Sequence, residues 1–260
     1  MKIKLYQIDA FTDRVFSGNP AAVCPLEGWL EDAALQNIAA ENNLAETAFY
    51  VRTKDDYRIR WFTPAAEVDL CGHATLAAAY VIFNFAGFPS DSVSFQSRSG
   101  VLTVVRNREW YSLNFPADKI QKIDVTPELI ACIGKNPIDA YRGRSDAMLV
   151  FSSRQEIEQA VPDFSKITLL KARGLIITAP GTDTDFVSRF FAPQFGINED
   201  PVTGSAHTTL TPYWSRQLGK LELTARQISK RGGFLKCKLL DDRVEMSGQG
   251  AYYMEGEISI

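Results

Sequence analysis

Short runs that alternate polar and apolar positions make up most of this chain. Lys2-Ile3-Lys4-Leu5-Tyr6-Gln7-Ile8-Asp9 alternates with the strand period of two and predicts a strand over 3–9. Phe16-Ser17-Gly18-Asn19-Pro20 is a turn cluster, after which Ala21-Ala22-Val23-Cys24 resumes an extended run. Residues 31–42 switch to the helical spacing, with Leu35, Ile38 and Ala39 on one face and Glu31-Asp32 at the positive end of the helix dipole. Residues 43–50 then read as a strand in which Leu44, Glu46 and Ala48 face the same way, and Tyr57, Ile59 and Trp61 alternate with Arg58 and Arg60. Thr75 to Phe83 is apolar all round, which predicts a buried helix through the middle of its half.

Further strands are predicted over 93–96, 101–105 and 110–115, and Pro116 to Asp118 marks the crossing into a second half. There, Thr126 and Pro127 open a short helix over 126–133, and 147–151, 175–178 and 186–190 are apolar strands. A second helix is expected over 205–218, kinked or shifted in its start by Pro212. Strands near 222–229, 234–239, 243–247 and 251–259 complete the pattern. The expected class is α+β, in two pseudo-symmetric halves, each a β-sheet wrapped around a central helix. The boundaries are 1–116 and 117–260, with the last C-terminal strand returning to the first half.

One stretch occurs twice. Arg60-Trp61-Phe62-Thr63-Pro64 leads to Asp69-Leu70-Cys71-Gly72-His73-Ala74-Thr75, and Arg189-Phe190-Phe191-Ala192-Pro193 leads to Pro201-Val202-Thr203-Gly204-Ser205-Ala206-His207-Thr208. The chain's only two histidines fall in these loops. Each loop opens a helix, whose first N–H groups lack internal partners and carry partial positive charge. Glycine there lets the backbone turn tightly and a ligand approach the peptide groups. Two such ends, one from each half, would clamp a small carboxylate-bearing molecule.

Composition narrows the classes. The 260 residues are 45% hydrophobic with a formal net charge of −3, enough for a substantial core and unsuited to nucleic acid. Cys24, Cys71, Cys132 and Cys237 show neither metal-ligand nor redox-motif spacing, which suits free thiols in a reducing compartment. The N-terminus is too polar for a signal peptide, and no apolar run approaches a membrane span. A cytoplasmic location is expected, with no metal, since no histidine cluster supports one.

Candidate chemistry starts with Glu46. A carboxylate among small and apolar neighbours would be poorly hydrated and a stronger base; a rim position in water is the alternative. His73 could exchange protons or hold an anion, or simply bond locally at the helix start. Asp200 could orient a proton-transfer partner or cap the turn before Pro201. Ser205 could cap its helix, hold a carboxylate, or both. Cys71, at a helix N-terminus, is expected to have a lowered pKa and could act as a base, although its counterpart in the repeat is Thr203.

Together, Asp9-Ala10-Phe11-Thr12 through Gly18-Asn19-Pro20-Ala21-Ala22-Val23, Leu44-Ala45-Glu46-Thr47-Ala48-Phe49, Cys71-Gly72-His73-Ala74-Thr75 and Glu199-Asp200-Pro201-Val202-Thr203-Gly204-Ser205-Ala206-His207 resemble the PhzF-like family of phenazine-biosynthesis isomerases. The resemblance implies a diaminopimelate-epimerase-like fold with the site in the cleft between its halves, a homodimer, and no cofactor. It implies Glu46 as the group that removes and redelivers a proton, with His73, Asp200 and Ser205 as its partners, and a small carboxylate- or amino-acid-like substrate bound through Cys71, Gly72, Gly204 and Ser205. Cys71 departs from the phenazine enzyme and matches related epimerases. Competing expectations are an epimerase or racemase using Cys71, and a non-catalytic metabolite-binding protein on the same scaffold.

Overall fold

The computed structural model describes residues 1–54 and 56–260. They form two compact units, Met1–Asn114 with Ser247–Ile260, and Phe115–Met246.

In the first unit, Lys2–Ala10 pairs antiparallel with Gly250–Ser259 on one side and with Asn19–Leu26 on the other. The turn joining Lys2–Ala10 to Asn19–Leu26 depends on Gly18. Its φ is +65°, and a Cβ there would lie 2.2 Å from the Ala10 carbonyl oxygen. Asn19–Leu26 runs parallel to Glu46–Arg52 through the crossover helix Asp32–Asn42. Glu46–Arg52 pairs antiparallel with Tyr57–Phe62, which pairs with the short Glu67–Val68 and runs parallel to Ser92–Ser97. Ser92–Ser97 pairs antiparallel with Gly100–Asn107.

The second unit repeats this sequence of pairings. Gln121–Ile123, Asp139–Arg142 and Ala147–Val150 are antiparallel neighbours. Ala147–Val150 runs parallel to Leu175–Pro180, which pairs antiparallel with Phe186–Ala192. Phe186–Ala192 pairs with Ile197–Asp200 and runs parallel to Glu222–Gln227, whose antiparallel partner is Gly233–Leu240. The duplication reaches single side chains. Arg60 holds Glu67 with two bonds of 2.7 and 2.8 Å, and Arg189 holds Glu199 with two of 2.7 and 2.9 Å. Each guanidinium also lies over a ring two residues on, Arg60 at 5.1 Å from Phe62 and Arg189 at 5.0 Å from Phe191.

Each unit has a helix between the equivalent strands. Gly72–Phe85 is buried from His73 to Ala79 and packs on Asn19–Leu26, Lys2–Ala10 and Glu46–Arg52. Gly204–Leu218 packs on Gly233–Leu240 and Glu222–Gln227, with Trp214 stacked on Phe186 at 5.8 Å and donating to the Thr178 hydroxyl. The opposite sheet faces are covered as well, by Leu35 and Ile38 in the first unit and by Leu129, Ile157 and Ile167 in the second. With both faces covered, a strand such as Leu175–Ala179 is buried at every position and reads as a continuous apolar run.

Several expectations change. The central helix starts at Gly72, three residues before the apolar run at Thr75. Leu44 precedes its strand, which begins at Glu46, so it does not share a strand face with Glu46 and Ala48. Pro212 does not shift the start of its helix, which runs through it from Gly204 to Leu218. Proline has no N–H to offer the carbonyl four residues back, but the Asp118 N–H fills that place on Thr208 O at 3.0 Å. The short helices Arg154–Glu158 and Phe164–Thr168 went unread, although Ser153 and Glu156 form a capping box.

Candidate active site

In the first unit, the loop repeat brings three side chains together. Glu46 opens its strand, Cys71 stands at the N-cap of the central helix, and His73 lies in that helix's first turn. His73 Nε2 lies 3.1 Å from Glu46 Oε2, and the two side chains are 7% and 13% exposed. Glu46 is therefore withdrawn from bulk water. The contact is a close ion pair rather than an aligned hydrogen bond, and neither atom has another hydrogen-bond partner among the described residues. On the other side of the ring, Nδ1 lies 3.5 Å from Cys71 Sγ.

The charges follow from this geometry. Burial works against the His73 imidazolium, but the Cys71 sulfur at one ring nitrogen and the Glu46 carboxylate at the other outweigh it and hold the His73 pKa well above its ordinary 6.5. Burial pushes the Cys71 thiol up from 9.0, and the Glu46 charge adds to this. The lowered Cys71 pKa expected from its place at a helix end is thus overturned: its desolvation exceeds the pull of the helix end. Near neutral pH Cys71 is a thiol, and the charge His73 faces is that of Glu46. The donor atoms of Glu46, Cys71 and His73 lie within 4.8 Å of one another, so a metal could be considered. The neighbours face opposite ring nitrogens, however, whereas a shared ion would take one nitrogen for both. The arrangement suits proton transfer along a line better than chelation.

The second loop is built differently. Asp200 ends its strand nearly buried and accepts the Thr203 hydroxyl at 2.5 Å. Gln227, buried in the neighbouring strand, fastens the loop. It accepts the Thr203 N–H at 2.8 Å and donates to the Asp200 carbonyl at 2.7 Å. Ser205 lies inside the helix and not at its cap, which is Thr203 and makes no side-chain cap bond. The capping role weighed for Ser205 is therefore replaced by a bond from Arg173, whose Nη2 donates to Ser205 Oγ at 2.9 Å. His207 is fully buried. Its Nδ1 lies 2.8 Å from Thr203 O, which can only accept, so Nδ1 carries the proton. Burial lowers the His207 pKa to about 4. It is a neutral core histidine, and only His73 of the two is placed for proton transfer.

Gly72 and Gly204 are the first residues of their helices, and neither has positive φ. A tight turn is not what requires glycine there. Sequence reasoning missed Gln227 and Arg173, which reach Thr203 and Ser205 from distant segments with no local pattern.

A duplicated sheet-and-helix unit, with a buried carboxylate–imidazole pair at one helix start, defines an epimerase-like α+β protein. The chain matches the model of the phenazine biosynthesis-like proteins over residues 8–256, and it belongs to that family. It is 47% identical over 260 residues, covering all of both chains, to an uncharacterized isomerase of Pseudomonas aeruginosa. A phenazine biosynthesis protein PhzF family structure from Enterococcus faecalis superposes with a TM-score of 0.98 at 46% identity, again over all of both chains. A structure titled "predicted epimerase" from Pseudomonas aeruginosa shares the fold, with a TM-score of 0.73 at 20% identity over 98% of this chain and 99% of that one. Among the described residues, no helix is long and apolar enough to cross a membrane.

Proposed function

We propose that this protein is a cofactor-independent isomerase that moves a proton on a small carboxylate- or amino-bearing metabolite. The observation that carries the reading is the Glu46–His73 pair, 3.1 Å apart and withdrawn from water. Glu46 removes a proton from a carbon next to, or conjugated with, an unsaturated or carboxylate group. The C–H electrons pass into that conjugated system, and Glu46 then returns the proton to another carbon on the same face. The His73 imidazolium faces Glu46 before the transfer and offers its own Nε2–H once Glu46 holds the substrate proton. The first amides of the helix that Gly72 opens stabilise the developing negative charge. Asp200 and Ser205 bind the substrate's amine or carboxylate, and the protein works as a cytoplasmic homodimer. The relatives' description as isomerases supports the reaction class.

The test is solvent-deuterium incorporation into any ligand found by thermal-shift screening with small carboxylic and amino acids. Glu46→Gln is expected to abolish incorporation while leaving binding nearly intact; unchanged incorporation rules out the role.

One observation favours a second reading. The Cys71 Sγ–His73 Nδ1 approach of 3.5 Å would suit an epimerase in which Cys71 supplies a base. Cys71→Ala separates the two readings. The epimerase loses activity, and the Glu46 isomerase keeps most of it.

A further inference from the structure

Ser205 has a partner that its sequence context does not reveal. Arg173 sits just ahead of the strand Leu175–Pro180 and is held on several sides. Its Nε donates to Asp146 Oδ1 at 2.9 Å and its Nη2 to Asp146 Oδ2 at 2.5 Å. Asp146 is 3% exposed. The guanidinium carbon lies 5.4 Å from the Phe190 ring centre. That ring comes close because residue 174 is glycine, where a Cβ would stand 2.3 Å from Phe190 Cζ. The Arg173 backbone is fixed too, its N–H bonded to Ser145 O at 2.7 Å and its carbonyl to the Gln194 side-chain amide. The second hydrogen of Nη2 is what reaches Ser205 Oγ, at 2.9 Å.

The direction of that bond matters. Arginine only donates, so Ser205 Oγ must accept, and its own O–H is left to donate elsewhere. Among the described residues, no acceptor for that hydroxyl proton is found. A charged donor on the oxygen also polarises the O–H and strengthens the bond it gives. The placement does not serve the helix, because a cation beside the first turn opposes the helix dipole. Asp146 offsets the charge, so the pair supplies orientation more than net attraction.

We propose that Arg173 is a positioning residue for Ser205. It fixes the hydroxyl as an outward donor, so that Ser205 selects a substrate oxygen that accepts, such as a carboxylate. This deepens the proposed function and rests on Ser205 being a substrate-binding residue.

The test is a double-mutant cycle on the full chain. Acetate, the smallest carboxylate, serves as the probe, with affinity read from the amide shifts of Gly204 and Ser205. Removing Arg173 alone would strand a buried carboxylate, so Arg173→Met is combined with Asp146→Asn. Ser205→Ala and the Arg173→Met/Asp146→Asn pair are each expected to weaken acetate about tenfold. All three substitutions together should weaken it no further, because Arg173 acts through the hydroxyl. Arg173→Lys keeps the charge but cannot serve Asp146 twice and Ser205 at once, so it should fold without recovering acetate affinity. Multiplying effects of about a hundredfold, full recovery with lysine, or a wild-type protein whose amides ignore acetate would each overturn the proposal. Failure of the Glu46 reading would appear in deuterium exchange, and failure of the Arg173 reading in acetate affinity.

Discussion

The two glycine loops stand at equivalent places in duplicated units, yet their histidines have opposite chemistry. His73 lies in the first turn of its helix, against Glu46, and its pKa is raised. His207 lies two residues deeper in its helix, bonded to a backbone carbonyl, and burial lowers its pKa to about 4. Both are buried, so desolvation alone does not decide protonation. The carboxylate does: one ring meets a charge that repays the imidazolium, and the other meets only a carbonyl dipole. Duplication supplied one scaffold twice, with a carboxylate against the imidazole of the first loop and a backbone carbonyl against that of the second. The second loop is fastened by Gln227 and Arg173.

The largest effect should separate the histidines functionally. Losing a positioned acid–base group costs about 10²–10⁴-fold in rate. His73→Ala should lower deuterium exchange by that much, whereas His207→Asn, which can still donate to Thr203 O, should keep exchange within about tenfold. Equal losses would erase the distinction.

The next effect is on stability against pH. The folded pKa of His207 lies below its unfolded value, so its contribution is intact above about pH 6.5 and is lost as pH falls toward 4. A fully buried group with that shift loses about 3 kcal/mol across the window. The folded pKa of His73 is raised, so its contribution is complete below the unfolded value and is lost as pH rises through the folded one. The two together favour a maximum near the ordinary histidine pKa. Urea unfolding at several pH values should show His207→Asn flattening the acid side alone.

A smaller loss is expected at the second loop's fastening. Gln227→Ala leaves the Thr203 N–H and the Asp200 carbonyl without their side-chain partner, at about 1–3 kcal/mol. Denaturant midpoints measure this directly. The smallest effect tests the likeness of the units. Glu67→Gln and Glu199→Gln each weaken a largely buried bidentate pair and should cost about 1 kcal/mol apiece. Glu67 should cost slightly more, because Arg98 also contacts it at 2.8 Å. A large disparity would mean that the arginine–glutamate pairs are not equivalent supports.

What could be read in the sequence was local. Arg60 and Arg189 stand out because each precedes an aromatic run and a proline, and the Gly72 and Gly204 loops because they repeat. The apolar run from Thr75 to Phe83 announces a buried helix through composition alone. Glu46 was singled out by small and apolar neighbours, but its pairing with His73 is a tertiary fact. Arg173, Asp146 and Gln227 had no signal, since each acts on a loop far along the chain. Pro212 gave no sign that its missing bond is replaced by Asp118, which lies outside any helical window. The thiol of Cys71 misled because a helix-end rule assumes some solvent, and this thiol is buried.

With only two histidines in the chain, their imidazole resonances can be followed one by one through a pH titration. The account predicts that His73 keeps its proton well past pH 6.5 and loses that advantage in Glu46→Gln, while His207 stays neutral down to about pH 4. Two histidines titrating together near 6.5, unmoved by Glu46→Gln, would contradict it.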